Sequence, residues 1–79
     1  MELALIYVLV SVERGRLEDA RRELSRLPRV SEVNYVTGKY DIVAKLKGAK
    51  LEELLRVVAT NLQKLRGLKR TETLVAAGI

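Results

Sequence analysis

The residues best suited to bind a ligand lie in the stretch Val36-Thr37-Gly38-Lys39-Tyr40-Asp41, which connects two strand-like runs. Gly38-Lys39 predicts a two-residue hairpin turn, because glycine readily adopts the positive φ that the first central position needs. Asp41 is a carboxylate where the pattern otherwise turns apolar, and burying a carboxylate costs free energy unless a cation or hydrogen-bond donors meet it. Asp41 therefore either binds a ligand or has a structural partner, for which Lys39, Arg70 and an arginine of a neighbouring subunit are candidates.

The composition excludes several kinds of site. The 79 residues include no cysteine and no histidine, which excludes a disulfide framework, a thiol nucleophile and a structural zinc site. We expect no cofactor, no metal and no catalytic group. No apolar run approaches the roughly 20 residues of a membrane span, and the apolar N-terminus lacks a basic leader, so we expect a cytoplasmic protein. The charged fraction of 32%, without cysteine or tryptophan, favours a thermophilic source.

The length and the net charge of this chain limit the kinds of partner it can have. A single domain of this length buries only about 60% of its unfolded surface, so oligomerisation is the remaining means of stabilising it. The net charge of +5 permits contact with nucleic acid. The basic residues, including Arg21-Arg22 and Lys69-Arg70, are nevertheless spread along the chain, which is typical of solvated surface rather than of a phosphate-binding track.

Hydrophobic patterning predicts four strands and two helices in the order βαββαβ, with the strands over 3–10, 30–37, 40–47 and 68–77. The first helix begins at Arg16 and ends before Pro28, and the second begins at Leu51 and is capped by Gly67. Two split βαβ units with right-handed crossovers then give a four-stranded antiparallel sheet, order 4-1-3-2, with both helices on one face. The predicted fold class is α+β, a ferredoxin-like plait.

The faces of the strands predict how the sheet is covered. The first strand is apolar on both sides, with Leu3, Leu5, Tyr7 and Leu9 on one face and Ala4, Ile6, Val8 and Val10 on the other. Such a strand is central and covered twice, once by the helices and once by the sheet of a second subunit. In the second strand the pattern places Val33 and Tyr35 on one face. It places Val30, Glu32, Asn34 and Val36 on the other, as is typical of an edge strand.

Three segments, in their order and spacing, carry a family resemblance. They are Leu27-Pro28-Arg29-Val30 leading to Val33, Val36 to Ile42 through Gly38-Lys39-Tyr40-Asp41, and Leu65-Arg66-Gly67-Leu68 leading to Thr71-Glu72-Thr73-Leu74. Together they resemble the effector domain of the Lrp/AsnC family of transcription regulators, also called the RAM domain, for regulation of amino-acid metabolism. The resemblance covers the whole chain, so we expect 1–79 to be one such domain. Family members carry a helix-turn-helix before this domain, whereas the first strand here starts at Leu3, so we expect the stand-alone form, without direct DNA binding.

The resemblance implies an assembly and a ligand. Two sheets would pack face to face in a dimer, and dimers would assemble further, often as a ring of four, an octamer. A small effector, typically an amino acid, would bind between dimers. The implied ligand-binding residues are Gly38, Lys39, Tyr40, Asp41, Thr71, Thr73 and Asn34. Asp41 would accept a hydrogen bond from the ammonium of the amino acid, while Thr71, Thr73 and the turn amides would donate to its carboxylate.

Each of these residues also has a structural interpretation, and the fold admits other functions. Gly38 serves the turn, Thr71 and Thr73 are good strand residues, and Asn34 fits an edge strand. The leading function is a non-catalytic, amino-acid-sensing and oligomerisation module of transcription regulation that modulates a full-length regulator by mixed assembly. A small dimeric α/β-barrel-type enzyme would usually need a group titrating near neutral pH, which a chain without histidine or cysteine lacks. An RNA-binding plait would need stacking aromatics on its third strand, where only Tyr40 stands.

Overall fold

The computed structural model describes residues 4–76 and confirms the predicted order βαββαβ. The elements are β1 (Ala4–Val12), α1 (Leu17–Ser25), β2 (Val30–Tyr35), β3 (Ile42–Gly48), α2 (Leu51–Asn61) and β4 (Leu68–Val75), with a short 3-10 helix at Leu62–Lys64. The strands form one antiparallel sheet, ordered β2-β3-β1-β4, which is the predicted order seen from the other edge. The fold is a ferredoxin-like plait. The predicted strand ends at Leu3 and Ala77 lie outside the described residues.

The core lies between one face of the sheet and both helices. It is formed by Ile6, Val8, Val10, Ala20, Leu24, Ile42, Ala44, Leu46 and Leu54, each at most 1% exposed. The alternating residues of β1 and β3 in this set share the face on which α1 and α2 pack, as the two-residue period of a strand requires. Among the described residues, no polar or charged side chain is buried. Neither helix of residues 4–76 is long and apolar enough to cross a membrane.

The opposite face of the sheet is not covered by either helix of residues 4–76. Tyr7 stands opposite Leu74 on β4, and Leu9 stands opposite Val43 on β3, so their side chains share this open face with Leu5. Leu74 is 43% exposed. Lys45, Lys47 and Glu72 stand beside these apolar side chains on the same face.

The connection between β2 and β3 differs from the predicted two-residue turn. Tyr35 pairs with Ile42, and the Val36 amide donates to the Asp41 carbonyl over 2.8 Å, so the loop contains four residues, 37–40. Gly38 does adopt a positive φ, +123°. The loop is longer than predicted because the regular pairing of β2 with β3 ends at Tyr35 and Ile42.

A bulge in β2 also changes one predicted face. Val30 pairs with Leu46 and Glu32 pairs with Lys45, so Ser31 is the extra residue. Val30 and Val33 consequently lie on the same side, against the helices, and the prediction that Val30 shares a face with Glu32 is wrong. The bulge lets an edge strand pack two half-buried valines against the core while its charged residue, Glu32, stays in solvent.

Gly67 does not cap a helix, contrary to prediction. The helical segment ends at Lys64, and Leu65 is already extended. Gly67 has a φ of +81° and lies in the turn into β4, where its carbonyl accepts a hydrogen bond from the Glu13 amide over 2.7 Å. A positive φ at position 67 could be expected because the residue is glycine. The hydrogen bond between this turn and Glu13, just after β1, depends on tertiary contacts.

Candidate functional site

Asp41 is anchored to the end of β1 through both its backbone and its side chain. Its amide donates to the Val10 carbonyl over 2.8 Å, and its Oδ2 accepts from the Val12 amide over 2.9 Å. Pairing of β1 with β3 ends where Val10 faces Ile42, so beyond that point no β3 carbonyl lies opposite Val12. The carboxylate takes the place of the missing carbonyl and satisfies an amide that would otherwise be unpaired.

The structural partner of Asp41 is thus a backbone amide rather than Lys39 or Arg70, the candidates in its own chain. Among the described residues, the hydrogen bond from the Val12 amide uses only Oδ2 of the Asp41 carboxylate. A carboxylate has about four lone-pair sites in total, so further acceptor sites remain. Asp41 is half-buried, and no buried side-chain oxygen of the described residues lacks a hydrogen-bond partner, so Oδ1 keeps a route to solvent. The structural and ligand-binding interpretations of Asp41 are therefore compatible.

Tyr40 ties the same loop to β4. Its hydroxyl donates to Glu72 Oε1 over 2.7 Å. Glu72 stands opposite Leu9, so this contact lies on the open face of the sheet. The hydrogen bond to the Glu72 carboxylate, which favours the protonated phenol, raises the pKa of Tyr40 above its ordinary value. The sequence gives no local signal that pairs Glu72 with Tyr40, because 32 residues separate them and Glu72 is distinguished only by lying between Thr71 and Thr73.

The two threonines lie on the other face of β4. Thr71 stands opposite Val10 and Thr73 opposite Val8, and both valines are buried against the helices. Thr71 is exposed and Thr73 is half-buried at the edge of this layer. Within one chain, the Tyr40–Glu72 contact and the two threonines are therefore on opposite sides of the edge strand.

The remaining predicted residues lie further apart. Gly38 and Lys39 form the exposed tip of the loop. Asn34 lies on β2, where its side-chain amide donates to Glu32 Oε2 over 2.7 Å. Since β2 and β4 are opposite edges of a four-stranded sheet, about 14 Å separates Asn34 from the threonines of the same chain. Residues 4–76 contain no group of three side chains able to hold a metal ion.

The arrangement defines a small ferredoxin-like domain with an anchored loop at one end of its sheet and an uncovered apolar face. Residues 5–78 match the model of the Lrp/AsnC ligand binding domain. The chain belongs to the Lrp/AsnC family, and it is an effector domain of the type found in transcription regulators.

Individual relatives agree with this assignment. The chain is 33% identical to the HTH-type transcriptional regulator PH1916 of Pyrococcus horikoshii over 58 residues, which cover 73% of this chain and 39% of that protein. The chain spans less than half the length of the curated relatives it matches. Among solved structures, TTHA0845 of Thermus thermophilus is 37% identical with a TM-score of 0.88, covering 96% of this chain and 95% of that one.

A more distant structure shares the fold. The transcriptional regulator NMB0573 of Neisseria meningitidis, solved as an L-Met complex, has a TM-score of 0.80 at 16% identity, covering 95% of this chain and 50% of that one. At this identity the likeness shows the fold alone.

Proposed function

We propose that this chain is a non-catalytic module of transcription regulation that senses an amino acid and assembles through its sheet. Family membership supports a ligand-binding role, and the L-Met complex of NMB0573 supports an amino acid as the ligand class. The observation that carries the proposal is the anchoring of Asp41, since a carboxylate already fixed by the Val12 amide loses little freedom when it binds a cation.

The ligand contacts follow from the chemistry of an amino acid. The second carboxylate oxygen of Asp41, Oδ1, accepts from the ligand ammonium, in a charge-assisted hydrogen bond of about 1.5–3 kcal/mol. The ligand carboxylate accepts from the hydroxyls of Thr71 and Thr73 and from amides near Gly38. Tyr40 forms a wall of the site.

The site is completed by more than one subunit. The threonines of a chain face away from its own Tyr40–Glu72 contact, which supports a pocket between dimers formed by the loop of one chain and β4 of another. Lys39 and Asn34, exposed at the loop tip and on the far edge of the sheet, belong in this proposal to the pocket rim of neighbouring subunits.

The dimer itself forms by packing two open sheet faces together. The apolar residues Leu5, Tyr7, Leu9, Val43 and Leu74 provide a contact surface that the chain's own helices do not cover. We expect Leu74→Lys to lower the molar mass measured by light scattering. The matched control is Leu17→Lys on α1, because Leu17 is similarly exposed, at 39% against 43% for Leu74. Equal masses for the two variants would count against sheet-to-sheet packing.

A thermal-shift screen against the standard amino acids tests the sensing function. A ligand at about 100 times its dissociation constant adds about 2.7 kcal/mol to the free energy of unfolding, a readable shift. We expect at least one amino acid to stabilise the wild type, and Asp41→Asn to abolish that shift while leaving the assembly intact. Glu52→Gln, at an exposed carboxylate of α2, is the control that keeps the shift. A wild-type assembly that no amino acid stabilises would contradict the proposal.

The module acts on a full-length regulator of the same family by mixed assembly. The open sheet face of such a regulator would match that of this chain, because both carry the same domain. Co-expression of this chain with a tagged full-length regulator from the same cell tests this step. Recovery of the two chains in one particle is the expected result, and recovery of separate homo-oligomers would remove this part of the proposal.

A further inference from the structure

A groove on the helix side of the molecule is lined by four arginines. Its walls are Arg16, Arg22, Arg26 and Arg66, together with Asp19 and Glu23, and its volume is about 410 Å³. The groove lies between α1 and the turn that leads into β4, away from the loop 37–40 and from the open sheet face. Four cationic and two anionic side chains give it a net charge of +2.

Gly67 and Asp19 position two of these arginines. A side chain on Gly67 would put its Cβ 2.7 Å from Arg16 Cγ, so glycine here lets the stem of Arg16 cross the turn beside Arg66. Asp19 lies 3.6 Å from Arg16 Nη1 and 3.5 Å from Arg22 Nη1. These contacts are long and half exposed, so most guanidinium donors of both arginines remain available.

The other two arginines are not neutralised within the described part of the chain. Among residues 4–76, the ion pairs within 4.0 Å involve Arg16, Arg22 and Arg29, and none involves Arg26 or Arg66. Uncompensated guanidinium groups that share one groove repel each other. An anion bound between them relieves this repulsion and accepts bidentate hydrogen bonds.

The spacing of the arginines fits a linear polyanion. Arg22 lies on α1 and Arg26 caps its C-terminus four residues later, a rise of about 6 Å, and the distance from the N-cap, Arg16, to Arg26 is about 15 Å along the helix. Each strand of duplex DNA carries one phosphate per about 3.4 Å of duplex axis, so a row of about 15 Å lies beside about four phosphates of one strand. No aromatic side chain of the described residues lines the groove. The groove therefore offers no surface on which the bases of single-stranded nucleic acid could stack.

We propose that this groove binds the phosphate backbone of duplex DNA without reading its sequence. This contact is independent of any helix-turn-helix and differs from the sequence-based expectation that the chain has no direct contact with DNA. It requires no contact with the loop 37–40, so amino-acid sensing and DNA contact are separable.

Fluorescence anisotropy of a labelled duplex of about 20 base pairs, titrated at several salt concentrations, tests the proposal. The groove variant is Arg26→Gln with Arg66→Gln. The control is Lys50→Gln with Arg56→Gln, which removes the same charge from exposed positions outside the groove. We expect the groove variant to flatten the dependence of log affinity on log salt by about 2, and to weaken binding roughly tenfold or more at about 0.1 M salt. The control should change the slope by less than half as much.

Three results would overturn the proposal. The first is that the wild type does not bind the duplex at low salt. The second is that the groove and control variants lose equal amounts of duplex affinity. The third is that the groove binds inorganic polyphosphate or an acidic peptide but not the duplex. The groove variant should keep the amino-acid thermal shift of the wild type. Failure of DNA binding and failure of amino-acid sensing can therefore be told apart.

Discussion

Replacing Asp41 by alanine removes the acceptor that holds the end of β1. The carboxylate accepts from the Val12 amide over 2.9 Å in a partly buried position. A hydrogen bond to a charged acceptor contributes about 1.5–3 kcal/mol, and a buried donor left without a partner costs about 1–3 kcal/mol. We therefore expect Asp41→Ala to lower the free energy of unfolding by about 2 kcal/mol.

Asparagine at the same position separates stability from ligand binding. Asp41→Asn keeps a carbonyl oxygen for the Val12 amide, and a neutral hydrogen bond still contributes about 0.5–1.5 kcal/mol. The loss should be about 1 kcal/mol or less. In a domain of this size each kcal/mol corresponds to about 4–8 °C in Tm, so the alanine variant should melt about 8–16 °C below the wild type and the asparagine variant much closer to it.

The assay is thermal unfolding followed by circular dichroism at one fixed protein concentration, because assembly makes Tm depend on concentration. Asp19→Ala is the control, since its ion pairs are long and half exposed and contribute less than about 1 kcal/mol. If Asp41→Ala melts with the wild type, the carboxylate does not hold the end of β1. The claim that the fold fixes Asp41 in advance of the ligand would then be refuted.

Three further substitutions test the fold and the site. Gly67→Ala should be more destabilising in urea than Gly15→Ala, because both residues have a φ above +80° but only at Gly67 would the new Cβ meet atoms within 3 Å. Leu24→Ala, which empties a core position, should cost about 2–5 kcal/mol in the same measurement. The contribution of the Tyr40–Glu72 bond to stability is complete below pH 10.0 and is lost as pH rises through the higher pKa of Tyr40 in the folded state. Spectrophotometric titration should find that Glu72→Gln lowers this pKa, and an unchanged pKa would exclude the bond.

The strands and their faces could be predicted because burial imposes a period on the sequence. β1 is apolar at every position from Ala4 to Val10, and only a central strand covered on both sides requires that pattern. The structure confirms its central place between β3 and β4. The same periodicity identified α1 and α2, since each has one apolar side facing the sheet.

The loop and the β2 bulge could not be predicted, because long-range bonds decide them. The Asp41 carboxylate accepts from the Val12 amide, 29 residues away, and β3 begins at the next residue, Ile42. Nothing local distinguishes Ser31 as an extra residue, which becomes visible only when Val30 pairs with Leu46. The Tyr40–Glu72 contact likewise joins residues that only the finished sheet brings together.

The central claim is that the loop of one chain and the threonines of another form one amino-acid site, and subunit complementation tests it most directly. Asp41→Asn and Thr71→Val chains, each carrying a different tag, are expressed alone and together, and the effector from the thermal-shift screen is titrated into each assembly by calorimetry. We predict no binding by either homo-oligomer and restored binding by the mixed particle, in which an intact loop meets an intact Thr71. Mixed particles that form but do not bind, or a homo-oligomer that binds as the wild type does, would contradict the account.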